Sequence, residues 1–75
     1  MLDLAEIRRT VGRTQVELAA AMGATQGQIS RIERQSDLLV STLCTYLEAL
    51  GVHARLVIAV GGTEITKQLT GGGLQ

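Results

Sequence analysis

The chain has 75 residues with no Phe, Trp or Pro and a single Tyr, so its core is built from Leu, Ile, Val, Ala and Met around one aromatic ring. One domain of this size buries a modest share of its surface, the single cysteine rules out an intramolecular disulfide, and no Cys/His cluster offers a metal staple, which leaves oligomerisation, most simply a dimer, as the source of extra stability. Seven basic residues against seven acidic ones give a net charge of zero, which argues against any partner held by a strong overall positive field.

The N-terminal stretch MLDLAEIRR has no long apolar run, and the longest one, Leu56 to Val60, is far too short to span a membrane, so a soluble cytoplasmic chain is expected. The spacing of Leu4, Ile7 and Val11 predicts a first helix from Leu4 to Val11, with Asp3 as its cap and Gly12 as its stop. Thr14 and Glu17 have the spacing of a capping box, so a second helix starts at Gln15. Val16, Leu18, Ala19 and Met22 supply its apolar positions, and Gly23 ends it where a left-handed residue costs little. Thr25 caps a third helix whose buried stripe is Ile29 and Ile32. At about 100° per residue, Gly27, Ser30, Arg31 and Arg34 fall on the opposite face of that helix.

After Arg34 the segment QSDLLV leads to Ser41, a candidate cap for a fourth helix with Leu43, Tyr46, Leu47 and Leu50 on one face and Gly51 at its end. Beyond Gly51 the period changes to alternation. Arg55 to Val60, RLVIAV, reads as a strand with Leu56, Ile58 and Val60 on one side, and Gly61-Gly62 is a turn signal. Thr63 to Leu69 is polar but can return as a second strand, with Ile65, Lys67 and Leu69 on a common side. A lone hairpin is hardly stable in water, so the free edge along Leu56, Val57, Ile58 and Val60 is expected to pair with the same strand of a second copy. The expected fold is thus mainly α: four helices, then a C-terminal strand or hairpin that pairs across a dimer. Residues 1–51 form a helical domain, 52–70 a dimerisation segment and 71–75 a flexible tail, and there is no internal repeat.

The two short helices joined by a glycine turn, Thr14 to Arg34, leave one polar and basic face free to touch a partner, and the partner suited to that arrangement is DNA. Gln15 to Arg34 resembles the helix-turn-helix of the Xre/Cro family of λ-repressor-like proteins, in the small Ala19, the turn glycine Gly23, and the inward Ile29 and Ile32. The likeness extends from Leu4 to Gly51. It implies that the third helix lies in the major groove with Gln26, Gly27, Gln28, Ser30 and Arg31 at the bases. Glutamine amides suit adenine, and the Arg31 fork suits the O6 and N7 of guanine. Gly27 stands where the family usually places a contacting side chain, so it subtracts one contact or permits close approach of the backbone, at a cost in helix stability. Arg13, Thr14, Gln15 and Arg34 match phosphate contacts, which set register without reading sequence. Arg8 and Glu33 match a salt bridge between the first and third helices.

The run from Arg31 to Val60 is similar to small Xre-type antitoxins of the HigA kind, in which the fourth helix is followed by a dimerising strand. Gln35 departs from the glycine usual after the recognition helix. The resemblance implies operator DNA, a second copy of the chain and a ribonuclease-type toxin as partners, with no cofactor and no metal. The expected function is a sequence-specific repressor that is also an antitoxin. The alternatives are a stand-alone regulator and a protein-interaction module with little DNA affinity. Tyr46 is read as a core or interface residue, Cys44 as a structural thiol, and His53, Ser36 and Asp37 as loop residues. With neither paired carboxylates nor a phosphate-cradling glycine loop before a lysine, an enzyme is not expected.

Overall fold

A computed structural model describes residues 2–71 and shows four helices followed by a two-stranded antiparallel hairpin. The elements are α1 (Leu4–Val11), α2 (Gln15–Met22), α3 (Gln26–Arg34), α4 (Val40–Leu50), β1 (Ala54–Val60) and β2 (Thr63–Thr70). The first three helices start as expected: the Asp3 carboxylate accepts from the Glu6 amide, and Thr14 and Thr25 each accept from the amide three residues on. Gly12 and Gly23 close α1 and α2 in the left-handed region, at φ +91° and +66°, where a side chain would be strained.

Two expectations about the helices are corrected. Ser41 is not the cap of α4; the helix begins at Val40, two residues earlier than that cap would place it, from an N-cap at Leu39 that makes no side-chain hydrogen bond, and the Ser41 carbonyl accepts from the Thr45 hydroxyl at 3.0 Å. The buried face of Tyr46, Leu47 and Leu50 anchors this helix without a cap, because tertiary packing supplies most helical stability. Val16 does not belong to the apolar face of α2. It is 59% exposed, because a residue two places before the buried Leu18 points about 160° away from it.

The core consists of Leu4, Leu18, Ala19, Ile29, Tyr46, Leu47 and Leu50, with Ile7, Met22, Ile32, Leu38 and Leu43 packed around it. Each helix contributes at least one of the seven, so the sides of α2 and α3 that face away from this cluster are held as one rigid surface. The hairpin reaches this core only at its base, through Ala54, and the rest of it extends away. β1 and β2 pair with Ile58 opposite Ile65 and Leu56 opposite Lys67, across a turn in which Gly61 alone has positive φ, as a type II′ turn requires. The register jumps between Ala54 and Arg55, which pair with Thr70 and Gln68, so Leu69 is the extra residue of a bulge rather than a regular member of the second strand's face. One anchor to the helical body is the buried Thr70, whose hydroxyl donates to the Val52 carbonyl at 2.7 Å. The expected tail lies, from residue 72 on, outside the described residues.

Candidate nucleic-acid interface

The outward surface is built from the beginnings of α2 and α3. At Thr14 the reciprocal capping box is complete: its hydroxyl accepts from the Glu17 amide at 3.1 Å, and Glu17 Oε1 accepts from the Thr14 amide at 2.8 Å. The Thr14 backbone bond, foremost, holds the Glu17 carboxyl below its ordinary pKa. A second box at Thr25 was not expected. Gln28 Oε1 accepts from the Thr25 amide at 2.8 Å while the Thr25 hydroxyl accepts from the Gln28 amide at 3.1 Å. A bidentate contact to adenine uses both the oxygen and the nitrogen of the glutamine amide. In this conformation Gln28 offers only its nitrogen, because a glutamine at the third helical position reaches back to the cap.

Gln26, Gly27, Arg31 and Arg34 are exposed on α3, with Ser30 half-buried beside them; Arg13 and Thr14 are exposed at the start of α2, and Gln15 is half-buried. The structure therefore brings Arg13, Thr14, Gln15, Gln26 and Gly27 to the starts of two helices joined by one short turn, with Ser30 and Arg31 farther along α3 and Arg34 at its last residue. Behind them lies a polar lock centred on Glu33. Arg8 Nε donates to Glu33 Oε2 at 2.7 Å and its Nη2 to Oε1 at 3.3 Å; Gln15 Nε2 donates to Oε1 at 2.9 Å, and the Tyr46 hydroxyl to Oε2 at 2.6 Å. Gln26 Nε2 donates to Gln15 Oε1 at 3.2 Å, which carries the chain of bonds out to the first residue of α3. Arg8 Nη1 also donates to the Arg13 carbonyl at 3.0 Å, fixing the turn before α2.

All four helices meet at one carboxylate. The Arg8 and Glu33 side chains are only 10% and 5% exposed, a burial that is costly for charge unless the pair is well hydrogen-bonded, as it is here. Burial alone would raise the Glu33 pKa, but the bonds from Arg8, Tyr46 and Gln15 together bring it below its ordinary value. Tyr46 shifts the other way: burial, and its bond to an already charged carboxylate, push its pKa well up. Sequence reasoning placed Tyr46 in the core but missed its role in this lock. The available signal was chemical, since a buried tyrosine hydroxyl needs an acceptor. Cys44 is half-buried and His53 exposed, and neither joins the surface formed by α2 and α3.

The Helix-turn-helix family matches residues 4–57, which includes all four helices and the first part of β1. The chain belongs to this family. It is 41% identical over 70 residues to the antitoxin HigA3 of Mycobacterium tuberculosis (strain ATCC 25618 / H37Rv), with 89% of this chain aligned. The chain spans 62% of the length of that curated relative. Among solved structures, it superposes with a TM-score of 0.78 on a HigA antitoxin whose unique dimerization is described as inducing DNA bending, at 35% identity over 89% of this chain and 93% of that one. It matches a DNA-bound HigA3 antitoxin equally well, with a TM-score of 0.78, 36% identity, and 89% and 90% of the two chains covered. These likenesses include the hairpin as well as the helices, so the chain resembles HigA antitoxins beyond the helix-turn-helix itself.

Proposed function

We propose that this chain is a sequence-specific DNA-binding repressor that works as a homodimer in the cytoplasm and, as the antitoxin of a toxin/antitoxin pair, represses its own operon and neutralises a ribonuclease-type toxin. The observation that carries the DNA reading is the rigid outward face of α3, with Gln26, Ser30 and Arg31 exposed or half-exposed over a lock that ties Gln26 through Gln15 to Glu33. Gln26 uses one amide hydrogen on Gln15 and keeps its oxygen and its second hydrogen for adenine. Arg31 reads guanine, Gln28 adds a single donor from the cap, and Arg13, Thr14, Gln15 and Arg34 meet phosphates. The DNA-bound and dimeric HigA relatives support the same assignment for residues 1–51 and for residues 52–70 as the dimerisation segment. The chain acts by binding rather than by catalysis.

The test is a mobility-shift titration of the full chain against the DNA upstream of its own gene, at two salt concentrations. Arg31→Ala is expected to weaken operator binding by about 1–3 kcal/mol and relax preference at one base pair. Arg13→Ala is expected to weaken operator and unrelated DNA alike and to flatten the salt dependence. Equal losses on both DNAs for both variants, or no shift by the unaltered chain, would defeat the assignment. Co-purification with the product of the adjoining reading frame separates an antitoxin from a stand-alone regulator.

A further inference from the structure

Gly27 is the only glycine within a helix among the described residues. Gly12, Gly23, Gly51, Gly61 and Gly71 all have positive φ, so each has a backbone reason to be glycine, and Gly62 lies in the hairpin turn outside any helix. Gly27 has no such reason. Its φ lies outside the left-handed region, and a Cβ added there would meet only Thr25 Oγ1, at 3.9 Å, an ordinary van der Waals contact. Inside a helix of 9 residues it costs stability relative to alanine and returns no packing. The fold would accept a larger residue and be firmer for it.

Its direction is equally specific. At about 100° per residue, Gly27 points about 160° away from Ile29 and about 140° away from Ile32, the two side chains that seat α3 on the core. It therefore lies at the crest of the exposed face. Arg31 and Arg34 follow it at the spacing of one helical ridge, each exposed. The crest of the recognition helix thus begins with bare backbone and continues with two long cations.

We propose that Gly27 is a specificity-determining gap: the missing side chain lets the α3 backbone come into van der Waals contact with the edge of a base pair in the major groove. This rests on the DNA reading of the same face. A glycine that the fold does not need is explained by a body that approaches it closely, and the first turn of a recognition helix is the part that meets base edges. The contact acts by exclusion, since any side chain at the crest would hold the helix away from the groove and pull Gln26 and Arg31 off their partners together.

The experiment uses the full chain and the tightest-binding duplex recovered by it from a random-sequence pool, with an unselected duplex of equal length as the comparison. Gly27→Ala is expected to unfold several degrees higher than the unaltered chain, yet to bind the selected duplex at least tenfold more weakly, with its affinity for the unselected duplex unchanged. Gly27→Ser is expected to show the same loss on the selected duplex. A Gly27→Ala chain that binds the selected duplex as tightly as before overturns the proposal while leaving the DNA reading intact. So does an equal loss on both duplexes, which would place the contact at phosphate, or a lower unfolding temperature, which would give the glycine a structural role. Failure of the unaltered chain to enrich any duplex overturns the DNA reading and this inference with it.

Discussion

Glu33 shows how one side chain can organise a domain. It sits near the end of α3, accepts from Arg8, Gln15 and Tyr46, and so fixes the position of α3 relative to each of the other three helices. Replacing it by Gln keeps the shape but leaves the Arg8 guanidinium buried without its counter-charge. Glu33→Gln is expected to destabilise the fold by about 3 kcal/mol. For a domain this small that is a fall in unfolding temperature of about 12 °C or more, read by calorimetry. The pH dependence has a definite sign. The carboxyl is held below its ordinary pKa of 4.5, so its contribution is fully present above that value and is lost as the pH falls through the folded-state pKa. The gap in unfolding temperature between the unaltered chain and Glu33→Gln should therefore narrow below about pH 4.5. A gap that stays constant into the acid range would show that the charge on Glu33 contributes little.

Among the elements, α3 shows how local chemistry and packing divide the work. Its inner face has only Ile29 fully buried and Ile32 partly so, and a glycine weakens its first turn, so its start depends on the Thr25 and Gln28 box. Thr25→Ala should cost about 1 kcal/mol of stability. The variant keeps the residue 25 backbone amide that donates to Gln28 Oε1, so it should lower stability without changing the sequence preferred in a binding-site selection. The four helices and the first strand are legible in the sequence from their apolar periods, from the caps of α1, α2 and α3 and from the glycine stops of α1, α2 and α4. α4 was misread at its start because Ser41 resembles a cap, while burial of Tyr46, Leu47 and Leu50 actually sets where the helix lies. Thr25 and Gln28 stand at capping-box spacing, which is the local signal for the fold-back of the Gln28 amide.

For the whole molecule, the hairpin is the unfinished part. Leu56, Val57, Ile58, Val60 and Ile65 are 45–57% exposed in the single chain, an apolar surface that a lone two-stranded sheet cannot keep in water. Pairing of β1 with its copy would satisfy the free backbone edge and join two α3 helices in one particle, as reading two half-sites one turn of duplex apart, about 34 Å, requires. Ile58→Glu would force a charge into that contact and is expected to weaken dimerisation about tenfold or more. Sedimentation should then show monomer where the unaltered chain is expected to be a dimer, and operator affinity should fall with it. The unaltered chain should also unfold at temperatures that rise with its concentration, because dimerisation stabilises by mass action. An Ile58→Glu chain that stays dimeric would place the contact on the helices instead.

The sequence by itself determined the elements, their order and the identity of the outward face of α3, because capping, glycine conformation and helical periodicity act over a few residues. It also determined the pairing of Arg8 with Glu33 through the family pattern. Only the tertiary structure decided what those residues do together. Tyr46 and Glu33 are 13 residues apart and meet at 2.6 Å; Arg8 and Glu33 are 25 apart and meet at 2.7 Å. Such contacts depend on how helices cross, which no local period encodes.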